Sequence, residues 1–155
     1  MPRQDEPRRN FLREAAATGG LAGMAALALA VPSEAAGGKI EKTPAGMRVG
    51  NLVFTSGLTG VAAGDFGGTI EEQTRAILEK HKKALAAAGT SLENVLKVVV
   101  FMADIKVEKP AMNKVYAEFF KGPVRPSRSA VGVEFPDSKT KVEIEMIAWA
   151  PGGSA

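Results

Sequence analysis

Cysteine is absent from this chain of 155 residues, and histidine, tyrosine and tryptophan occur once each. Without cysteine there is no disulfide, no thiolate metal ligand and no sulfur nucleophile. A single histidine, His81, argues against a His-rich metal centre or a Ser-His-Asp triad. One tyrosine and one tryptophan leave few platforms on which bases would stack, and a formal net charge of +3 is too small to argue for an electrostatic grip on phosphates. A nucleic-acid partner is therefore not expected. No cofactor and no metal are called for. What remains is ordinary: 45% hydrophobic and 24% charged residues are the composition of a globular domain, which excludes wholesale disorder.

The first residues read as an address. Arg8-Arg9-Asn10-Phe11-Leu12-Arg13 precedes an uncharged run, residues 15–31, built mostly from Ala, Gly, Leu and Met. A basic segment, a mildly apolar segment and small residues at its end make the three-part export signal. Ala28-Leu29-Ala30 and residues 33–36 both offer cleavage positions, and the Arg8-Arg9 pair resembles the twin-arginine consensus. A core helix would show a polar face at 3.6-residue spacing, and this run shows none. A membrane span needs about 20 strongly apolar residues, more than this Ala/Gly-rich run supplies. Residues 1–36 are thus expected to be a twin-arginine signal read by export machinery through Arg8 and Arg9. Residues 37–155 are expected to be the folded domain, delivered to the periplasm with no stable span.

In that domain, residues 49–56 read as a turn feeding a strand, with residues 47–49 as hairpin partner. A Gly-rich loop, residues 57–68, follows. Thr69 and Glu72 have capping-box spacing ahead of a helix that runs to Ala88 and stops at Gly89. Its apolar face carries Ile70, Thr74, Ile77, Ala84, Leu85 and Ala88, and His81 falls in the middle of it, where a packed, hydrogen-bonded histidine is expected. Lys80, Lys82 and Lys83 make a solvated flank. Residues 95–102 form a buried strand, a second helix begins near Pro110 and ends before Gly122, and residues 128–133 and 142–149 are strands. The order β-β-α-β-α-β-β implies a two-layer α/β sandwich, one mixed sheet with two helices on one face. Two helices cannot cover both faces of the sheet, so the open face is expected to meet another subunit.

Period two places Glu143, Glu145, Ile147 and Trp149 on one side of the last strand and Val142, Ile144 and Met146 on the other. A carboxylate entering a strand that ends in Ile and Trp lies near a wet–dry boundary, where a general base is useful. Arg128 stands at the head of the preceding strand, in Pro126-Ser127-Arg128-Ser129. Taken alone, each is more often an edge-strand charge than a catalytic group.

These segments occur in order with Leu52-Val53-Phe54-Thr55-Ser56-Gly57, with Asn94-Val95 through Asp104, and with Asn113-Lys114-Val115-Tyr116-Ala117-Glu118-Phe119-Phe120. The series resembles the RidA (YjgF-type) family of imine/enamine deaminases over residues 46–150. The resemblance implies a chorismate-mutase-like fold and a homotrimer with sites in the clefts between subunits. It also implies roles: Arg128 matches the arginine that grips the substrate carboxylate, and Glu143 the carboxylate that orients and deprotonates water. Ser56, Gly57 and Asn113 match positions lining the cleft, and Ala130 stands where a cysteine is usual. Lys42-Thr43-Pro44-Ala45 replaces a Gly-Pro-Tyr segment. The implied activity is hydrolysis of 2-imino and enamino acids to 2-oxo acids and ammonia. The alternative is a trimer of the same fold that binds a small carboxylate without turning it over.

Overall fold

The computed structural model describes residues 39–60 and 67–152. The export-signal reading of residues 1–36 lies outside the described residues. Ten described elements follow in order: β1 (Ile40–Thr43), β2 (Gly46–Val49), β3 (Leu52–Thr55), β4 (Leu58–Thr59), α1 (Ile70–Ala87), a 3-10 turn (Leu92–Asn94), β5 (Val95–Met102), α2 (Ile105–Phe119), β6 (Ser127–Gly132) and β7 (Val142–Trp149). The strands form one sheet in the order β1-β2-β3-β7-β5-β6, with β4 also on β7. Only β5 and β6 pair in parallel, through the α2 crossover, so the sheet is mixed.

Alternation along β7 and β5 decides which face is covered. Val142, Ile144, Met146 and Ala148 of β7 and Val98, Val100 and Met102 of β5 are buried in one cluster with Ile77 and Leu85 of α1 and Met112 of α2. Both helices therefore lie on this face, and the molecule is the two-layer sandwich that the sequence implied. Transfer of such apolar side chains out of water stabilises the fold by about 1.5–3 kcal/mol each. The opposite face keeps apolar groups in solvent: Phe54, Val131 and Trp149 are 39%, 42% and 44% exposed.

α1 starts as expected. Thr69 Oγ1 accepts from the Glu72 N–H at 3.2 Å, the Glu72 carboxylate accepts from the Thr69 N–H at 2.8 Å, and Gly89, at φ +76°, turns the chain away at the other end. α2 differs from expectation, beginning five residues before Pro110. Asp104 caps it by accepting from the Val107 N–H at 3.1 Å, and Pro110 sits inside the helix. A proline there removes one ladder bond, which the cap and the buried Met112–Tyr116 face outweigh. β1 is a second difference. Ile40-Glu41-Lys42-Thr43 is short and charged, so it carries no strand pattern of its own, yet it pairs with β2 across the Pro44-Ala45 turn. Hairpin geometry, not hydrophobic periodicity, makes it a strand.

Candidate active site

Arg128 lies on β6 opposite Val98, which is fully buried on the helix-covered face. Its side chain consequently runs toward α2, where the guanidinium stands 4.4 Å from the centre of the Tyr116 ring. That contact is a cation–π pair and fixes the plane of the fork. Asn113, one turn back along α2, lines the same depression of about 370 Å³ with Tyr116, Phe120, Arg125 and Arg128. Asn113 Oδ1 and Tyr116 Oη are both buried with no hydrogen-bond partner among the described residues. Burial pushes the Tyr116 phenol up to about 12, although Arg128 and Arg125 pull it down by their charge. At neutral pH the phenol is therefore an O–H donor without an acceptor. Ala130 follows on the same side of β6 and packs half-buried against the core.

Glu143 belongs elsewhere. It pairs with Phe101 of β5 and Thr59 of β4, between fully buried Val142 and Ile144, so it faces the open side of the sheet. Gly57 is beside it, and a Cβ at Gly57 would overlap the Glu143 carboxylate. Only a glycine leaves room for that side chain to lie flat along the break between β3 and β4. Ser56 is exposed at the same break, its N–H bonded to the Ala45 carbonyl at 3.2 Å. The Thr55 hydroxyl bridges the gap by accepting from the Met146 N–H at 2.8 Å.

The expected site residues thus fall into two groups. Asn113, Arg128 and Ala130 make one half; Ser56, Gly57 and Glu143 make the other. Register places Arg128 level with Met146, two strands across and three residues along from Glu143, roughly 14 Å between Cα atoms and on opposite faces of the sheet. One chain does not bring them together. Sequence reasoning also missed Tyr116 and Arg125. The signal for Tyr116 is its i, i+3 spacing from Asn113, which places both on one helix face.

His81 is a core residue. It is fully buried, its Nε2 lies 2.8 Å from the Ile144 carbonyl, and burial lowers its pKa from 6.5 despite that bond. The neutral tautomer donates from Nε2. Lys80, expected to be a solvated flank, donates to the Thr59 carbonyl at 2.9 Å and so ties α1 to β4. Among the described residues no three His, Asp or Glu side chains converge as metal ligands would, and no helix is long and apolar enough to cross a membrane.

Comparison with known proteins agrees with the fold. The profile of the family described as Endoribonuclease L-PSP, the RidA/YjgF group, matches residues 41–150. The chain belongs to that family. Its relatives include the mitochondrial protein mmf2 of Schizosaccharomyces pombe, 41% identical over 106 residues that make up 66% of this chain and 82% of the other. Reactive Intermediate Deaminase A of Arabidopsis thaliana is 34% identical over 118 residues, 70% of this chain and 62% of that one. Among solved structures, yeast Mmf1 is 34% identical with a TM-score of 0.61, covering 67% of this chain and 83% of its own. A Rid-family protein from Yersinia pestis is 32% identical with a TM-score of 0.62, covering 67% and 84%.

Proposed function

We propose that this RidA-family chain hydrolyses 2-imino and enamino acids to 2-oxo acids and ammonia, in a homotrimer whose sites join the two halves across subunit clefts. The observation that carries the reading is Arg128, a guanidinium held by Tyr116 beside a depression whose lining contains no carboxylate. A fork in that setting pairs both oxygens of a substrate carboxylate. Glu143 of a neighbouring copy completes the chemistry. Its carboxylate takes a proton from water, the hydroxide oxygen bonds to C2 of the imine, and the nitrogen gains that proton. In the carbinolamine so formed, the C2 hydroxyl proton passes through the same carboxylate to nitrogen, the C2–N bond breaks with its electron pair on nitrogen, and ammonia leaves as the C2 oxygen becomes the 2-oxo group. The iminium carbon is electrophilic already, so this route is complete with these side chains and water. Names of relatives such as the Arabidopsis deaminase support it.

The test is a pair of substitutions assayed with imino acid generated in place by an amino acid oxidase. Arg128→Ala removes both turnover and carboxylate binding, a loss of about 2–5 kcal/mol for a charge-assisted pair. Glu143→Gln keeps the shape of the side chain but accepts no proton; product-analogue affinity holds while the rate falls on the order of 10². Wild-type turnover by Glu143→Gln removes the mechanism. One observation favours a second reading: the arginine half is complete within one chain, which is all that a carboxylate-binding trimer requires. Binding of 2-oxo acids without any acceleration of imine hydrolysis selects that reading.

We propose that this activity resides in the periplasm after twin-arginine export, a reading supported by the Arg8-Arg9 pair and the charge and hydropathy pattern of residues 1–36.

A further inference from the structure

Arg125 lies three residues before Arg128, ahead of β6, and lines the same depression. The two guanidinium groups share it with Asn113 and the buried Tyr116 hydroxyl, and no acidic side chain lines it. Neither arginine forms an ion pair or a hydrogen bond with a described residue; of the α2 carboxylates, Glu118 is held by Arg75 and Glu108 by Lys141. Tyr116 is 8% exposed, and its hydroxyl oxygen is buried without a partner among the described residues. Arg128 stands 4.4 Å from the centre of that ring, and both arginines act on the phenol by their charge.

A monocarboxylate satisfies one guanidinium fork with its two oxygens and leaves the second cation beside it unneutralised. Two like charges in a partly desolvated hollow repel, and a second anionic group relieves both the repulsion and the unmet donors. From two arginines lining one hollow without carboxylates, we propose that the site selects short 2-imino acids bearing a second carboxylate. One carboxylate lies on Arg128, and the distal one lies on Arg125. This rests on the carboxylate-binding reading above and narrows its substrate class.

Calorimetric titration of the full chain with two stable product-side probes, 2-oxoglutarate and 2-oxobutanoate, reads the selectivity directly. Wild type binds 2-oxoglutarate roughly tenfold or more tighter, the scale of one charge-assisted contact. Arg125→Gln brings the affinity ratio to about one, and Arg125→Glu inverts it; Arg125 is exposed, so both variants keep the fold, which a thermal melt verifies. Arg128→Gln weakens both probes. Equal affinities in wild type, or a ratio unmoved by Arg125→Gln, overturn the selectivity and assign Arg125 to a contact with a neighbouring copy, while binding of 2-oxobutanoate keeps the carboxylate site itself. Failure of wild type to bind either probe overturns both.

Discussion

Buried polar side chains decide more here than exposed ones. His81 is neutral in the folded core because burial outweighs its bond to the Ile144 carbonyl. Its folded pKa lies below 6.5, so on acidification the unfolded chain takes up the proton first. Stability from this group is therefore complete above about pH 6.5 and is lost as pH falls through the folded pKa. A series of melts from pH 8 down to pH 5 shows a falling midpoint, and His81→Gln flattens that fall relative to its own pH 8 value. An unchanged slope in the variant removes the assignment. Asp137 and Glu93 are also held low by hydrogen bonds, but both are solvent-exposed and act only below the ordinary carboxylate range. Arg128 and Glu143 were legible from their segments, since Pro126-Ser127-Arg128-Ser129 and Val142-Glu143-Ile144-Glu145 are short and local. Tyr116 was not, because its role depends on a strand that arrives a dozen residues later in the chain.

Elements show the same division between local and distant causes. α1, β5 and β7 followed directly from capping residues and periodicity, since those signals lie within a few residues of one another. α2 starts ahead of Pro110 because Asp104, two residues past the end of β5, caps it, and a cap so close to a strand end carries no separate sequence signal. Gln73 was missed altogether. It is 1% exposed on α1, and its amide donates to the Lys139 carbonyl at 2.7 Å and accepts from the Lys141 N–H at 2.9 Å. A side-chain amide thus pairs the backbone leading into β7 as another strand would. Gly60 packs directly against the Gln73 backbone, which fixes the helix at this distance. Gln73→Leu keeps the volume but leaves two main-chain groups unpaired. We expect a loss of about 2–4 kcal/mol in denaturant unfolding, and a loss under 1 kcal/mol would show that water replaces the amide freely.

At the scale of the whole molecule, sequence gave the layers and one open face but not the separation of Arg128 from Glu143. That separation follows from strand order: β5 lies between β6 and β7, and opposite alternation sends the two side chains to opposite faces. A contact that joins one patch to a different patch of the next copy is heterologous, and three such contacts close a ring. The proposed address at the N-terminus is tested separately. Replacing Arg8-Arg9 by Lys-Lys keeps the charge but alters the pair that the translocase reads, so precursor accumulates in the cytoplasm by fractionation. Normal export of the Lys-Lys form assigns the general secretory route instead.

Two lesions that each silence the protein should cure one another. If every working cleft borrows Arg128 from one copy and Glu143 from its neighbour, then co-expressed Arg128→Ala and Glu143→Gln chains will assemble some clefts in which both borrowed groups are intact. With equal amounts and random order around the ring, about one cleft in four receives the undamaged pair, and about a quarter of the wild-type rate returns. The clefts that carry both lesions are the matching quarter, and the remaining half carry one. No rescue on mixing, with hybrid rings verified by differential tags, means that a single chain supplies both groups.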